Sequence, residues 1–227
     1  MDVLYSGSLK EGHPFYIRRL YLEDLEAILH VQKEILHVLD NPSSLSSLSK
    51  KEYEYILTGG GKMVGVFADG WLVAFRALLV PGADEEHLGS DVGLDSTELG
   101  SVIYQEISNV SPRYRGHRLQ KIMAEVLMEQ LRKEDYKYVC ATVAPFNIAS
   151  LKDKFAQQME IAALKKKYGG LLRYVFVKQL HREGEEWKEE QFIPMQDTKS
   201  QQDLLEDGWR GTDISGGPDG WLVRYCK

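Results

Sequence analysis

Positions 110 to 123 read VSPRYRGHRLQKIM. Arg113, Arg115, His117, Arg118 and Lys121 fall within nine positions, with Gly116 among them, and an apolar helical period starts at once. A helix N-terminus leaves four backbone N–H groups without partners and carries partial positive charge. Basic side chains are unfavourable there, by about 0.3–1 kcal/mol each, unless an anion offsets them. Gly116 lets an anion approach the backbone closely. A strand, a glycine turn and a helix in succession can cradle a pyrophosphate on backbone amides. A solvated basic turn would carry the same charges, so the cluster alone leaves both readings open.

Other chemical motifs fall away on inspection. TGGGKM at 58–63 has Gly-Lys, but Ile56 and Met63 stand where a Walker loop needs glycine and Ser or Thr. No G-x-G-x-x-G opens a helix. Gly59–Gly61 reads as a flexible connector. Two cysteines, Cys140 and Cys226, are too few for a disulfide framework, and no Cys/His group has zinc spacing. No metal is expected. Cys140, in an apolar run, reads as a small buried hydrophobe. His30 and His37, seven apart on a helix, read as bordering the core. Asp84, Glu85, Glu86 and Asp91 read as a solvated loop, or as a lining for a cationic amine.

The elements that must position the basic turn follow from periodicity. PFYIRRLY (14–21) reads as a strand. A helical period from Leu22 through Ile28, Val31 and Ile35 to Leu39 follows, stopped by Asn41-Pro42 and a polar SSLSSLS connector. KKEYEYIL is a short helix. KMVGVFADGWLVAFRALLV forms two strands about Asp69-Gly70, a pair favoured in tight hairpins. Residues 81–97 read as a long acidic loop. VIYQEISNV is a strand leading into the basic turn, and residues 116–134 form a helix. KYVCATVAP is a strand, and NIASLKDKFAQQM a helix with Asn147 as N-cap. IAALKKKYGGLLRYVFVKQL is a hairpin about Gly169-Gly170. The order predicts a mixed α/β (α+β) fold, its twisted sheet mostly antiparallel and flanked by helices.

The domain is expected over residues 1–180, with an extension at 181–227. The chain carries a formal charge of −6, and the extension alone holds 11 acids and 6 bases. It also holds Trp187, Trp209 and Trp221, three of four tryptophans, so it is expected to pack on the domain or on a partner. That packing could make a homodimer contact or cover a substrate site. QQDLLEDG and GWLVRYC read as a helical turn and a closing strand. No internal repeat is evident. Nothing in the first residues resembles a secretory signal, and no apolar run approaches a membrane span. The expected location is the cytoplasm, with no membrane partner. The mild acidity gives no reason to expect nucleic acid.

With this order in place, residues 14–180 resemble the GNAT superfamily of acyl-CoA-dependent N-acetyltransferases. The family's strand-to-helix segment, V-x-P-x-x-R-G-x-G-x-G, matches Val110 to Gly116; Arg118 and Gln120 stand where glycines are usual. Asn147-Ile148-Ala149-Ser150 matches the family's Asn-x-x-Ser/Ala, and YGGLLRY fits its last hairpin. The resemblance implies acetyl-CoA as cosubstrate and a small-molecule or peptide amine as acceptor. It implies that the backbone of Arg115, Gly116, His117, Arg118, Leu119 and Gln120 binds the CoA pyrophosphate. Val110 would pair with the pantetheine arm, and Asn147 and Ser150 would lie beside it. The family's usual tyrosine acid falls at Lys154, beside Phe155, so Tyr168, Tyr174 or no acid would serve. Amine attack needs proton removal. Glu106, on the strand leading to Val110, is the first candidate base, and Tyr104 the second. A GNAT-like protein that binds acyl-CoA without efficient catalysis is the alternative.

Overall fold

A computed structural model describes residues 2–10, 12–38, 47–82, 86–182 and 186–227. The Asn41-Pro42 stop, most of the serine connector, and Asp84 and Glu85 lie outside the described residues. The chain divides into two compact units: residues 1–81 with 104–134, and residues 82–103 with 135–227.

The first unit contains β1 (Val3–Ser8), β2 (Pro14–Arg19), α1 (Leu25–His37), α2 (Lys50–Tyr55), β3 (Gly61–Ala68), β4 (Trp71–Leu79), nearly all of β5 (Val102–Val110) and α4 (Leu119–Leu131). Its strands run in the order β1-β2-β3-β4-β5, each antiparallel to its neighbour. β1 had no counterpart in the sequence reading. It is short and mostly exposed, so neither alternation nor an apolar run marks it. The Asp69-Gly70 turn has both residues at positive φ, as the hairpin's twist requires. Ile28, Val31, Ile35, Tyr53, Met63, Phe75 and Ile107 form its core.

Gly59–Gly61 is not a flexible connector. α2 runs on through a π turn (Ile56–Gly60) into β3, and Gly61 is buried. A Cβ on Gly61 would stand 2.1 Å from the Leu78 carbonyl oxygen. The glycine is there because strand β4 passes too close for any side chain. His30 and His37 are exposed rather than bordering the core.

The second unit contains α3 (Leu88–Asp91), β6 (Tyr138–Val143), α5 (Ile148–Ala156), β7 (Glu160–Lys167), β8 (Leu171–Gln179), β9 (Glu190–Pro194), α6 (Thr198–Glu206), β10 (Arg210–Gly217) and β11 (Gly220–Cys226). α3 lies in the stretch read as loop. Asp91 does not line an amine site: it pairs with Lys165 at 3.1 Å and Lys167 at 2.8 Å, while Glu86 lies 3.6 Å from Lys167.

This unit contains an internal repeat that the sequence hides. β6-α5-β7-β8 recurs as β9-α6-β10-β11. Asn147 caps α5 by accepting from the Ser150 N–H at 3.3 Å; fifty positions on, Asp197 caps α6 by accepting from the Ser200 N–H at 3.1 Å. The bulge between Ile161 and Ala163 recurs between Gly211 and Asp213. The strand order β6-β8-β7-β10-β11-β9 is a palindrome. At its centre Ile161 pairs with its own counterpart, Gly211. The two copies are therefore related by an approximate twofold axis through the β7–β10 seam. Few identities survive between them, because capping and burial need only residue classes.

Gln201 ties the repeats together. It is fully buried, and its Oε1 accepts from Tyr174 at 2.7 Å and from Tyr225 at 3.0 Å. Its Nε2 donates to the Met195 carbonyl at 2.9 Å. Burial raises both phenol pKa values. Gln201→Leu, which installs the residue found at the equivalent Leu151, is expected to cost about 3 kcal/mol or more. It strands two buried hydroxyls and a carbonyl. Urea unfolding with unchanged slope would measure it.

Candidate functional site

The basic turn is built from the end of β5. The N–H of Ser111 donates to the Val73 carbonyl at 2.9 Å, which holds the chain to β4 as it leaves the strand. Pro112–Tyr114 then make one 3₁₀ turn. Gly116 at φ +80° and Arg118 at φ +59° both adopt the left-handed conformation on either side of His117. That alternation turns successive N–H groups toward one side, the geometry of an anion nest. Among the described residues, the N–H groups of Gly116, His117, Arg118, Leu119, Gln120 and Lys121 have no hydrogen-bond partner. The first bond of the series is from Ile122 to the Arg118 carbonyl at 3.1 Å. The side chains of Arg113, Arg115, Arg118 and Lys121 are exposed around them.

Arg118 occupies a position that suits glycine, since a left-handed residue with a Cβ is unfavourable by about 1–2 kcal/mol. Arg118→Gly is expected to stabilise the fold by up to about 1 kcal/mol, the glycine's extra freedom in the unfolded chain cancelling part of the gain. A thermal melt would record the rise.

Two residues absent from the sequence reading complete the turn. Arg76 lies wholly buried in β4 and donates to the Gln120 carbonyl at 3.2 Å and to Gln105 Oε1 at 2.6 Å. It holds the first turn of α4 against the sheet. A single arginine inside the apolar run WLVAFRALL was the available signal. Lys10, just beyond β1, donates its backbone N–H to His117 Nδ1 at 3.2 Å. Its ammonium lies 3.8 Å from where a Cβ on Gly116 would be. No local pattern could announce it, because 107 positions separate the two residues.

Glu106 sits at a β-bulge. Ala77 of β4 pairs with Ile107 and Leu78 with Gln105, so Glu106 has no partner on β4. A bulge re-aims a side chain and often marks a working residue. Water reaches Glu106, yet enough protein surrounds it that desolvation, reinforced by the charge of Glu52, raises its carboxyl pKa. Tyr104 is buried, paired in register with Leu79. Val110 ends β5 opposite Ala74.

Asn147 and Ser150 belong to the second unit, where they form the cap of α5. The acid candidates separate clearly. Tyr174 is wholly buried and bound to Gln201, so it cannot protonate a leaving group. Tyr168 is exposed at the β7–β8 turn, 3.2 Å from the Thr142 hydroxyl. Lys154 is buried beside Asp153 at 3.1 Å, and Phe155 packs edge-on against Phe176. Burial pushes the Cys140 thiol up to about 12, so it remains an inert hydrophobe. Among the described residues, no group of three His, Cys, Asp or Glu could hold a metal ion. No helix among them is long and apolar enough to cross a membrane.

No protein-family model and no curated protein matches the sequence. Solved structures do. The ribosomal-protein-S18-alanine N-acetyltransferase of Escherichia coli superposes with a TM-score of 0.55 at 16% identity, over 77% of this chain and 99% of that one. Arabidopsis thaliana NAA60, in complex with acetyl-CoA, gives 0.54 at 15% identity, over 73% and 98%. The PaiA N-acetyltransferase of Thermoplasma acidophilum, in complex with coenzyme A, gives 0.51 at 14%, over 73% and 98%. At these identities the likeness is one of fold, and the bulged β5, the nest and α4 lie on the elements that the sequence resemblance singled out. The chain has the fold of the GNAT N-acetyltransferases.

Proposed function

We propose that this protein is a cytoplasmic N-acetyltransferase that moves the acetyl group of acetyl-CoA to a primary amine of a small molecule or peptide. The observation that carries the reading is the run of unpartnered N–H groups from Gly116 to Lys121, ringed by cations, at the head of α4. Backbone donors and a helix N-terminus suit a pyrophosphate. The nest supplies them without using a side chain, so Arg118 and Gln120 in place of glycines do not remove the donors. Lys10 and Arg115 add charge at its rim.

Attack on the thioester needs an uncharged amine. Glu106, with its raised carboxyl pKa and solvent contact, is suited to take the proton as general base. A thiol with a pKa near about 8.5 leaves without a dedicated acid, which accords with Lys154 at the usual tyrosine position and with the loss of Tyr174 to the core. That same loss favours the second reading, an acyl-CoA-binding protein with weak catalysis.

Thermal unfolding with acetyl-CoA, CoA or ATP tests the binding step. A hundredfold excess over Kd raises stability by about 2.7 kcal/mol. A clear shift with acetyl-CoA and CoA and little with ATP is expected; no shift with any of them removes the proposal. Arg118→Gly is expected to leave CoA affinity within about threefold, the range of an exposed charge. Titration by calorimetry checks it, and a much larger loss would mean that the guanidinium, not the backbone, holds the phosphate. Thiol release with an amine panel then separates enzyme from sensor.

A further inference from the structure

The second unit contains a cavity to which both repeats contribute. It encloses about 450 Å³, with Glu160, Arg182, Arg210, Thr212 and Arg224 on its wall. The approximate twofold axis allows an internal comparison. At ladder-equivalent positions the first repeat carries Glu160, Ala162 and Val175, and the second carries Arg210, Thr212 and Arg224. A buried valine thus satisfies the fold where the second copy has an arginine. Folding alone does not call for these cations.

Their donors are available. Arg224 uses only Nε, donated to the Thr212 hydroxyl at 3.0 Å, and Arg210 only one terminal nitrogen, donated to the Trp209 carbonyl at 3.0 Å. The remaining guanidinium N–H groups of both have no partner among the described residues. Both side chains are half-buried, so the unused donors are partly shielded from water. Thr212 is the bulged residue of β10 and fixes Arg224 in place. Lys178, also on the wall, is engaged by the Gln157 carbonyl at 2.6 Å and contributes less. Among the described wall residues, Glu160 is the one carboxylate, facing Arg210 and Arg224 together with Arg182. Desolvation raises its pKa, although Arg210 and Arg182 oppose the shift. Phe155, Val177 and Trp187 supply an apolar wall.

We propose that this cavity binds a small organic anion, a carboxylate or phosphate with an apolar body, gripped by Arg210 and Arg224. Planar forks with spare donors match either group in a bidentate manner. The site does not depend on the acetyl-CoA reading, since it shares no residue with the nest.

Calorimetric titration of the full chain with phenyl phosphate and benzoate, against benzyl alcohol as neutral control, tests it. CoA is held in excess so that the nest does not contribute. The anions are expected to bind at millimolar concentration or below and the alcohol not to. Arg224→Val, the residue of the first repeat, is expected to weaken binding about tenfold or more, and Glu160→Gln to tighten it severalfold. Unfolding curves confirm that each variant folds; if Arg224→Val does not, Arg210→Gln carries the same expectation. Equal binding of the alcohol, no binding of either anion, or unchanged affinity in the folded arginine variants would overturn the proposal.

Discussion

On the proposed role of Glu106 as general base in acetyl transfer, Glu106→Gln is expected to lower kcat/KM by about 10²–10⁴-fold, the usual contribution of such a group. The side chain keeps its size and its place on the β5 bulge, so acetyl-CoA affinity should not change. The pH profile supplies the second readout. Because desolvation and the Glu52 charge raise the Glu106 carboxyl pKa above its ordinary 4.5, the base is protonated, and inactive, to a higher pH than a free carboxylate would be. The wild-type rate should climb as pH rises through that raised value and then level. The glutamine variant should lack this limb. Glu52→Gln should move the limb to lower pH, since it removes the nearby charge. Glutamine can still complete the Ser49 cap that Glu52 forms at the start of α2, so this variant should fold. A Glu106→Gln enzyme with full rate and an unaltered profile would assign proton removal to water or another group.

The second large effect is on stability. Asp24→Ala is expected to destabilise the fold by about 3–5 kcal/mol, the range for breaking a buried ion pair from one side. Arg18 and Asp24 are both buried and meet through two bonds, NH1 to Oδ2 at 2.8 Å and NH2 to Oδ1 at 2.6 Å. The Tyr21 N–H adds a third bond to the carboxylate at 2.9 Å. Arg18 also lies over the Phe67 ring at 4.2 Å. Without Asp24 the guanidinium stays buried and uncompensated. Desolvation alone would raise the Asp24 pKa, but the bonds from Arg18 and Tyr21 outweigh it and the pKa is lowered. A carboxyl whose folded pKa is depressed contributes its stability above its unfolded pKa, about 3.9. That contribution is lost as pH falls through the folded value. The gap between wild type and variant should therefore be full at neutral pH and narrow in acid below about pH 4. Guanidinium denaturation at several pH values measures it, and a gap independent of pH would assign the loss to packing instead.

Much of this protein was legible because its signals are local. The 3.6-residue period in α1 and α4, the Asp69-Gly70 turn and the Asn147 cap depend on neighbours within a few positions. So does the basic turn: its glycine, proline and crowded cations are local features, equally at home in a solvated turn and in an anion site. Glu106 was legible as a strand carboxylate near that turn. Its bulge was not, since a bulge is a mismatch between two strands and only their register reveals it.

What tertiary structure alone decided has the same physical cause throughout. Lys10 reaches His117, Arg76 reaches Gln120, and Gln201 joins two tyrosines on different hairpins, all across contacts with no sequence period. Tyr168 and Tyr174 looked equivalent until one proved buried. The repeat is the sharpest case. Its copies share capping geometry, bulge position and strand order but few side chains, because backbone architecture tolerates almost any residue of the right class. The sequence by itself determined the order of most elements and the basic glycine turn at the head of α4. The folded chain decided which carboxylate stands on a bulge, which tyrosine is exposed, and that the acidic extension is a second copy of the β6-α5-β7-β8 unit beside it.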